Sequence, residues 1–330
     1  MKANYHKLQC VPPRQVINWL LEGPAFIRYR TLTDLLDEGD DPQAKTAYRN
    51  MLADSMVQNL IISVNNWERQ TIITRHNDAA HALHKLVFAA SLGIKKNELK
   101  QAVKSILKHQ SAEGPFQIRI QIPRAFGGDD KPKWDWVATD APLILYALLR
   151  LGIKNRKVMK GADFIRKRIT ACGYPCFASS AMGKFRGPGR KDDPCPYANL
   201  IILRMLAQIP EYHDLPETNT AIEMLLRHWE LRKQKKYFLF GIGTDFSKLK
   251  APLIWYDLLH YLDTLSRFPG AIRDPRFLEA AAVLQNQADQ QGRYVSGSIW
   301  TKWKGWEFCQ KKEPSRWITF LAWRILSRLK

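Results

Sequence analysis

From residue 76 onward the chain repeats one pattern: an apolar segment of helical length, a Gly or Pro, a more polar segment of helical length, then a tight turn. The rounds are residues 76–92 with 96–109, 136–151 with 157–169, 196–209 with 217–233, and 252–268 with 275–288, and a last segment, 315–329, has no partner after it. Each round takes roughly 50 to 65 residues, the length of a helical hairpin with its connections. Turns built on Gln110 and Gly114, on Gly173, and on Gly292 close three of them. In each pair the first segment is the more apolar, so it is expected inside and its partner outside. Upstream, residues 13–21 and 24–36 enter helices through prolines, 42–56 forms a polar helix, and 59–74 reads as irregular or extended. Because the lone last helix and the first helices can complete one another, the pattern predicts an all-α fold, an (α/α)6 toroid of helical hairpins. The expected domain is single, residues 1–330, with 1–60 packing on or closing the ring and 75–330 supplying the hairpins.

Length and composition narrow the class. At 330 residues and 45% hydrophobic content the chain can bury a large core and is not a disordered segment. A formal charge of +20 favours acidic partners: nucleic acid, anionic lipid or charged small molecules. Five cysteines without paired CxxC motifs point to a reducing, cytoplasmic setting, and the sequence carries no apolar run of membrane-spanning length.

In a ring of this kind the inner helices run parallel and their N-termini gather at one mouth. The residues expected there are Arg28, Tyr29 and Arg30; His76, Asn77 and Asp78; Trp134, Asp135, Trp136 and Asp140; Asp193, Cys195 and Tyr197; Trp255, Tyr256 and Asp257; and Ser315, Arg316 and Trp317. Convergent carboxylates, arginines and aromatic faces make a ligand site, with Asp135, Asp140, Asp257 and His76 as acid–base candidates. The alternative for each is local: Asp and Ser cap helices, and aromatics fill the core. His76, Asp78, His81 and His84 also invite a metal reading, without an HExxH pattern.

One loop stands out. Arg186, Arg190 and Lys191 lie among Gly187, Pro188 and Gly189, a composition that suits an anion cradle. Asp193 and Cys195 follow at the start of an apolar helix, where the macrodipole favours negative charge. A capping loop with a structural cysteine fits the same residues.

These segments resemble the squalene cyclase and protein prenyltransferase superfamily, whose domains are rings of α-hairpins. Gln110, Gly114 and Phe116 look like a degraded form of its turn repeat, and Arg190, Asp193, Cys195 and Tyr197 look like the diphosphate and zinc segment of the prenyltransferase β-subunit. The resemblance implies zinc held by Asp193 and Cys195, and a third ligand in the stretch from Tyr256 to Ser266. That position holds Asp257 where the family has His, with His260 three residues on. No Asp-x-Asp-Asp motif of the cyclase kind occurs. The implied function is binding of an anionic, diphosphate-type or isoprenoid ligand. Arg186, Arg190, Lys191, Arg28, Tyr29, Arg30, Trp136, Tyr197, Trp255, Tyr256, Arg316 and Trp317 would contact it. Two other readings are a nucleic-acid-binding protein with a pocket for an extruded base, and a non-catalytic scaffold.

Overall fold

The computed structural model describes residues 8–69, 72–182, 193–234 and 238–330. The chain is all-α, built of helical hairpins, and its strands among the described residues form one small antiparallel pair. The helices are α1 (Arg14–Leu21), α2 (Ala25–Asp34), α3 (Pro42–Ala53), α4 (Ser55–Asn65), α5 (Ala82–Ser91), α6 (Lys100–Lys108), α7 (Ala141–Arg150) and α8 (Arg156–Arg166). They continue as α9 (Pro196–Leu206), α10 (Pro216–Glu230), α11 (Leu258–Leu265), α12 (Pro269–Ile272), α13 (Pro275–Gln285) and α14 (Arg316–Leu326). No described helix is long and apolar enough to cross a membrane.

The chain divides into two compact units, one of residues 1–60 with 243–330 and one of residues 61–242. In the second, α5 packs on α7 and α7 on α9. These three are buried on nearly every face, whereas α6 and α8 keep exposed polar sides. The apolar-first order of each pair therefore does place the apolar helix inside. In the other unit α11 and α14 are the buried helices, and α1, α2 and α13 pack against α14.

Two turns repeat the same joint. Tyr174 N–H donates to Asn199 Oδ1 and Tyr294 N–H donates to Thr319 Oγ1, both across 25 residues and both at 2.9 Å. In each, the tyrosine carbonyl accepts from the N-cap residue of the next buried helix, Cys195 before α9 and Ser315 before α14. A third turn is pinned differently: Gly114 takes a φ of 126°, and Gln110 Nε2 donates to its carbonyl at 2.6 Å. A Cβ on Gly161 of α8 would lie 2.8 Å from that carbonyl, so helix and turn meet only because both positions are glycine.

Element boundaries differ from expectation in several places, and α5, expected from 76, begins at Ala82 because His81 caps it. Residues 55–65 are helical: Asp54 Oδ1 accepts from Met56 N–H and Val57 N–H, and Val57, Leu60 and Val64 share the buried face. Helix α7 begins at Ala141 and not near 136, because β1 (Ile118–Ile120) pairs with β2 (Lys133–Asp135) just before it. Helix α11 begins at Leu258, since Asp257 caps it.

Candidate active site

The loop from Ile72 to Ala80 enters α5 through His81, whose Nδ1 accepts from Leu83 N–H at 3.1 Å. His84, one turn in, points its Nε2 at the His76 carbonyl, 2.7 Å away. That bond requires Nε2 to carry the proton, and burial pulls the His84 imidazole down to about 4, so it is the neutral ring that anchors the loop.

His76 is thereby held over the start of α7. Its Nδ1 lies 3.1 Å from Asp140 Oδ1 and 3.3 Å from Oδ2, and Thr139 Oγ1 lies 2.7 Å from the same nitrogen. Asp140 is 1% exposed and the His76 side chain 36% exposed, so a sunken carboxylate is covered by a ring that still meets solvent. Burial acts to lower the His76 pKa, the charge and hydrogen bond of Asp140 act to raise it, and the net direction is up. Tyr197, near the start of α9, and the Cys176 thiol both feel the Asp140 charge. Burial first pushes both well above their ordinary values, with Cys195 and then Asp140 adding for the thiol and Asp140 for the phenol, so both groups are neutral. His76, Thr139 and Asp140 thus form one cluster within residues 61–242.

Asp140 occupies the N-cap position of α7, with a proline in the first helical turn, yet makes no side-chain bond to the α7 amides. Asp41, Asn155, Asp257, Asp274 and Ser315 occupy the same position before other helices and all cap through the side chain. Both carboxylate oxygens of Asp140 are turned to the imidazole instead. With Nδ1 committed to this pair, Nε2, which has Thr139 Oγ1 at 3.1 Å, is the nitrogen left for proton exchange.

The remaining expected residues have local partners. Asp135 ends β2, buried, its Oδ1 accepting from Trp136 N–H at 2.9 Å, while Trp136 Nε1 donates to Glu113 Oε2 at 3.1 Å. Arg28 Nε donates to Leu21 O, Tyr29 packs on Tyr48, and Arg30 pairs with Asp34. Tyr256 packs against Phe246 and Tyr261, and Trp317 against Phe26 and Phe320. Arg316 Nε donates to Trp19 O. Arg186, Arg190 and Lys191 lie outside the described residues.

For the zinc expectation, Cys195 accepts from Ala198 N–H as the α9 cap, with its thiol pushed up to about 11 by burial. Asp257 Oδ1 accepts from His260 N–H at 2.9 Å, and His260 Nδ1 donates to the Trp255 carbonyl at 2.8 Å. Asp193 precedes the bridge that joins Pro194 to Pro175. Cys195, Asp257 and His260 are each engaged with their own segment's backbone, and among the described residues no three His, Cys, Asp or Glu side chains are grouped to hold a metal ion. Thr139 was not among the residues expected at the site. The one available signal was Pro142, which marks Asp140 as a cap position and Thr139 as its neighbour.

No family model matches the chain. No curated protein matches it either. Among solved structures, a GH76 α-mannanase of Bacteroides thetaiotaomicron is similar at 12% identity and a TM-score of 0.46, over 94% of this chain and 86% of that one. The resemblance to prenyltransferases and squalene cyclases is therefore corrected: no family model, theirs included, matches the chain. The diphosphate-binding and isoprenoid function expected from that resemblance falls with it.

Proposed function

We propose that residues 61–242 carry an acid–base catalytic site in which His76 transfers the proton and Asp140 orients the imidazole, in a hydrolase acting on a polar substrate. The observation that carries this reading is the uncapped start of α7, where Asp140 gives its oxygens to His76. Forgoing a cap costs about 1 kcal/mol, and a buried carboxylate costs more unless it is paired. A fold with no use for the imidazole gains by turning Asp140 to the helix, as its counterparts elsewhere in the chain do.

The chemistry follows from the atoms. Asp140 accepts from Nδ1–H, which leaves Nε2 as the basic nitrogen. Nε2 takes a proton from a water or substrate hydroxyl as that oxygen attacks, and the resulting imidazolium is stabilised by the Asp140 carboxylate beneath it. The same proton is then returned to the leaving group. Thr139 Oγ1 lies 2.7 and 3.1 Å from the two ring nitrogens, against the imidazole, and limits how the ring can turn.

The test is turnover of chromogenic esters, glycosides and phosphomonoesters by the native chain, His76→Asn and Asp140→Asn. A native activity that falls by roughly 10²- to 10⁴-fold in His76→Asn is the expected result. In Asp140→Asn the base limb of the pH profile moves to lower pH. Absence of turnover in all three classes, or equal turnover in His76→Asn, refutes the reading.

A further inference from the structure

We infer that Arg293 and Arg316, both stacked on Trp19, form a clamp for a phosphate or carboxylate group. The guanidinium carbon of Arg293 lies 4.5 Å from the indole centroid and that of Arg316 lies 4.6 Å from it. Two like charges are thus gathered on one ring, within residues 1–60 and 243–330. Cation–π attraction holds each to the indole but leaves their mutual repulsion in place.

The nearby carboxylates are turned elsewhere. Asp289 Oδ1 accepts from Gln291 N–H and Arg293 N–H. Glu307 accepts from Arg316 N–H, Trp317 N–H and the Ser315 hydroxyl, which satisfies the start of α14. Neither is hydrogen-bonded to a guanidinium nitrogen of the pair.

One fork is fixed at the back and the other is not. Arg316 Nε donates to the Trp19 carbonyl at 3.0 Å, and Arg293 Nε is buried without a hydrogen-bond partner. The Arg316 stem passes Gly23 so closely that a Cβ there would lie 2.5 Å from its Cδ. The corner between α1 and α2 is open to this side chain only because residue 23 has none. Among the described residues neither guanidinium's terminal nitrogens make a hydrogen bond, which leaves both forks for a planar or tetrahedral oxyanion. Arg316 is also the first residue of α14, where the helix dipole adds to the attraction.

The experiment is calorimetric titration of the full chain with inorganic phosphate and, separately, acetate at constant ionic strength. Arginine Nε resonances are followed by NMR, and Arg293→Gln is compared with the native chain. Saturable binding of at least one anion is expected, weakened roughly tenfold or more in Arg293→Gln, with an unchanged melting temperature in anion-free buffer. The stronger arm identifies the group as phosphate or carboxylate. Should Arg293→Gln fail to fold, Arg293→Lys keeps the stem and charge without the fork and is expected to bind measurably less well. Native-like affinity in the variant, or no saturation by either anion in the native chain, overturns the clamp.

Discussion

Asp263 and Arg328 meet at 3.0 Å where the last helix ends, and the same carboxylate, 1% exposed, also takes Arg324 at 2.9 Å and Arg267 at 3.3 Å. The cluster gathers the C-terminal ends of α11 and α14, whose final carbonyls favour cations. Burial first, and then the neighbouring guanidiniums, bring Arg328 down to about 9. Asp263→Asn leaves these cations without their shared counter-charge and is expected to cost about 3 to 5 kcal/mol, read by urea unfolding. Arg328→Lys, at the more exposed edge, is expected to cost less.

The pairing of His76 with Asp140 has a defined pH signature. The His76 pKa is raised on folding, so its contribution to stability is complete below the ordinary histidine value and is lost as pH rises through the folded value. In Asp140→Asn that contribution disappears, and the His76 ring resonances titrate at lower pH than in the native chain. Equal titration in the two proteins would contradict the pairing.

His84 and His228 behave in the opposite sense. Burial lowers each to about 4, while each bonds a carbonyl, that of His76 and that of Phe240. The unfolded chain binds protons at these rings first, so stability is complete above the ordinary value near 6.5 and is lost as pH falls from there toward 4. Each ring accounts for a loss of up to roughly 3 kcal/mol across that window. His84→Gln, which keeps a donor for the His76 carbonyl, is expected to flatten the acid limb of a stability–pH curve.

Cys195 and Ser315 occupy the same joint, so Cys195→Ser is expected to be tolerated within about 1 kcal/mol, whereas Cys195→Ala forfeits the cap. A thiol at about 11 reacts slowly, and alkylation at pH 8 should reach the exposed Cys172 long before Cys195.

Gly161→Ala forces a Cβ to 2.8 Å from the Gly114 carbonyl, a backbone atom that cannot swing aside. A loss of roughly 1 to 3 kcal/mol is expected, by thermal or chemical unfolding.

The helical architecture was legible because period and burial agree: α5, α7 and α9 carry apolar residues on every face and are buried on nearly every face. Boundaries were less so. The β-branched run Ile61, Ile62 and Val64 reads as extended, but Val57, Leu60 and Val64 recur at helical spacing and Asp54 starts the turn. The stretch from Pro252 to Asp257 is apolar enough to pass for helix, and only the cap bond to His260 shows where α11 begins. Of the expected acid–base residues, His76 and Asp140 are brought together, although 64 positions separate them, while Asp135 bonds its own neighbour. The sequence contains the caps, but not which cap declines to cap: that depends on a histidine delivered by another loop.

A joint built twice in one chain has a practical meaning for engineering. Tyr174 with Asn199, and Tyr294 with Thr319, amount to interchangeable connectors, so short cassettes spanning one joint can be transplanted into the other and read for folding alone. Tolerance of that exchange would make the chain a modular scaffold whose chemistry can be rewritten one socket at a time.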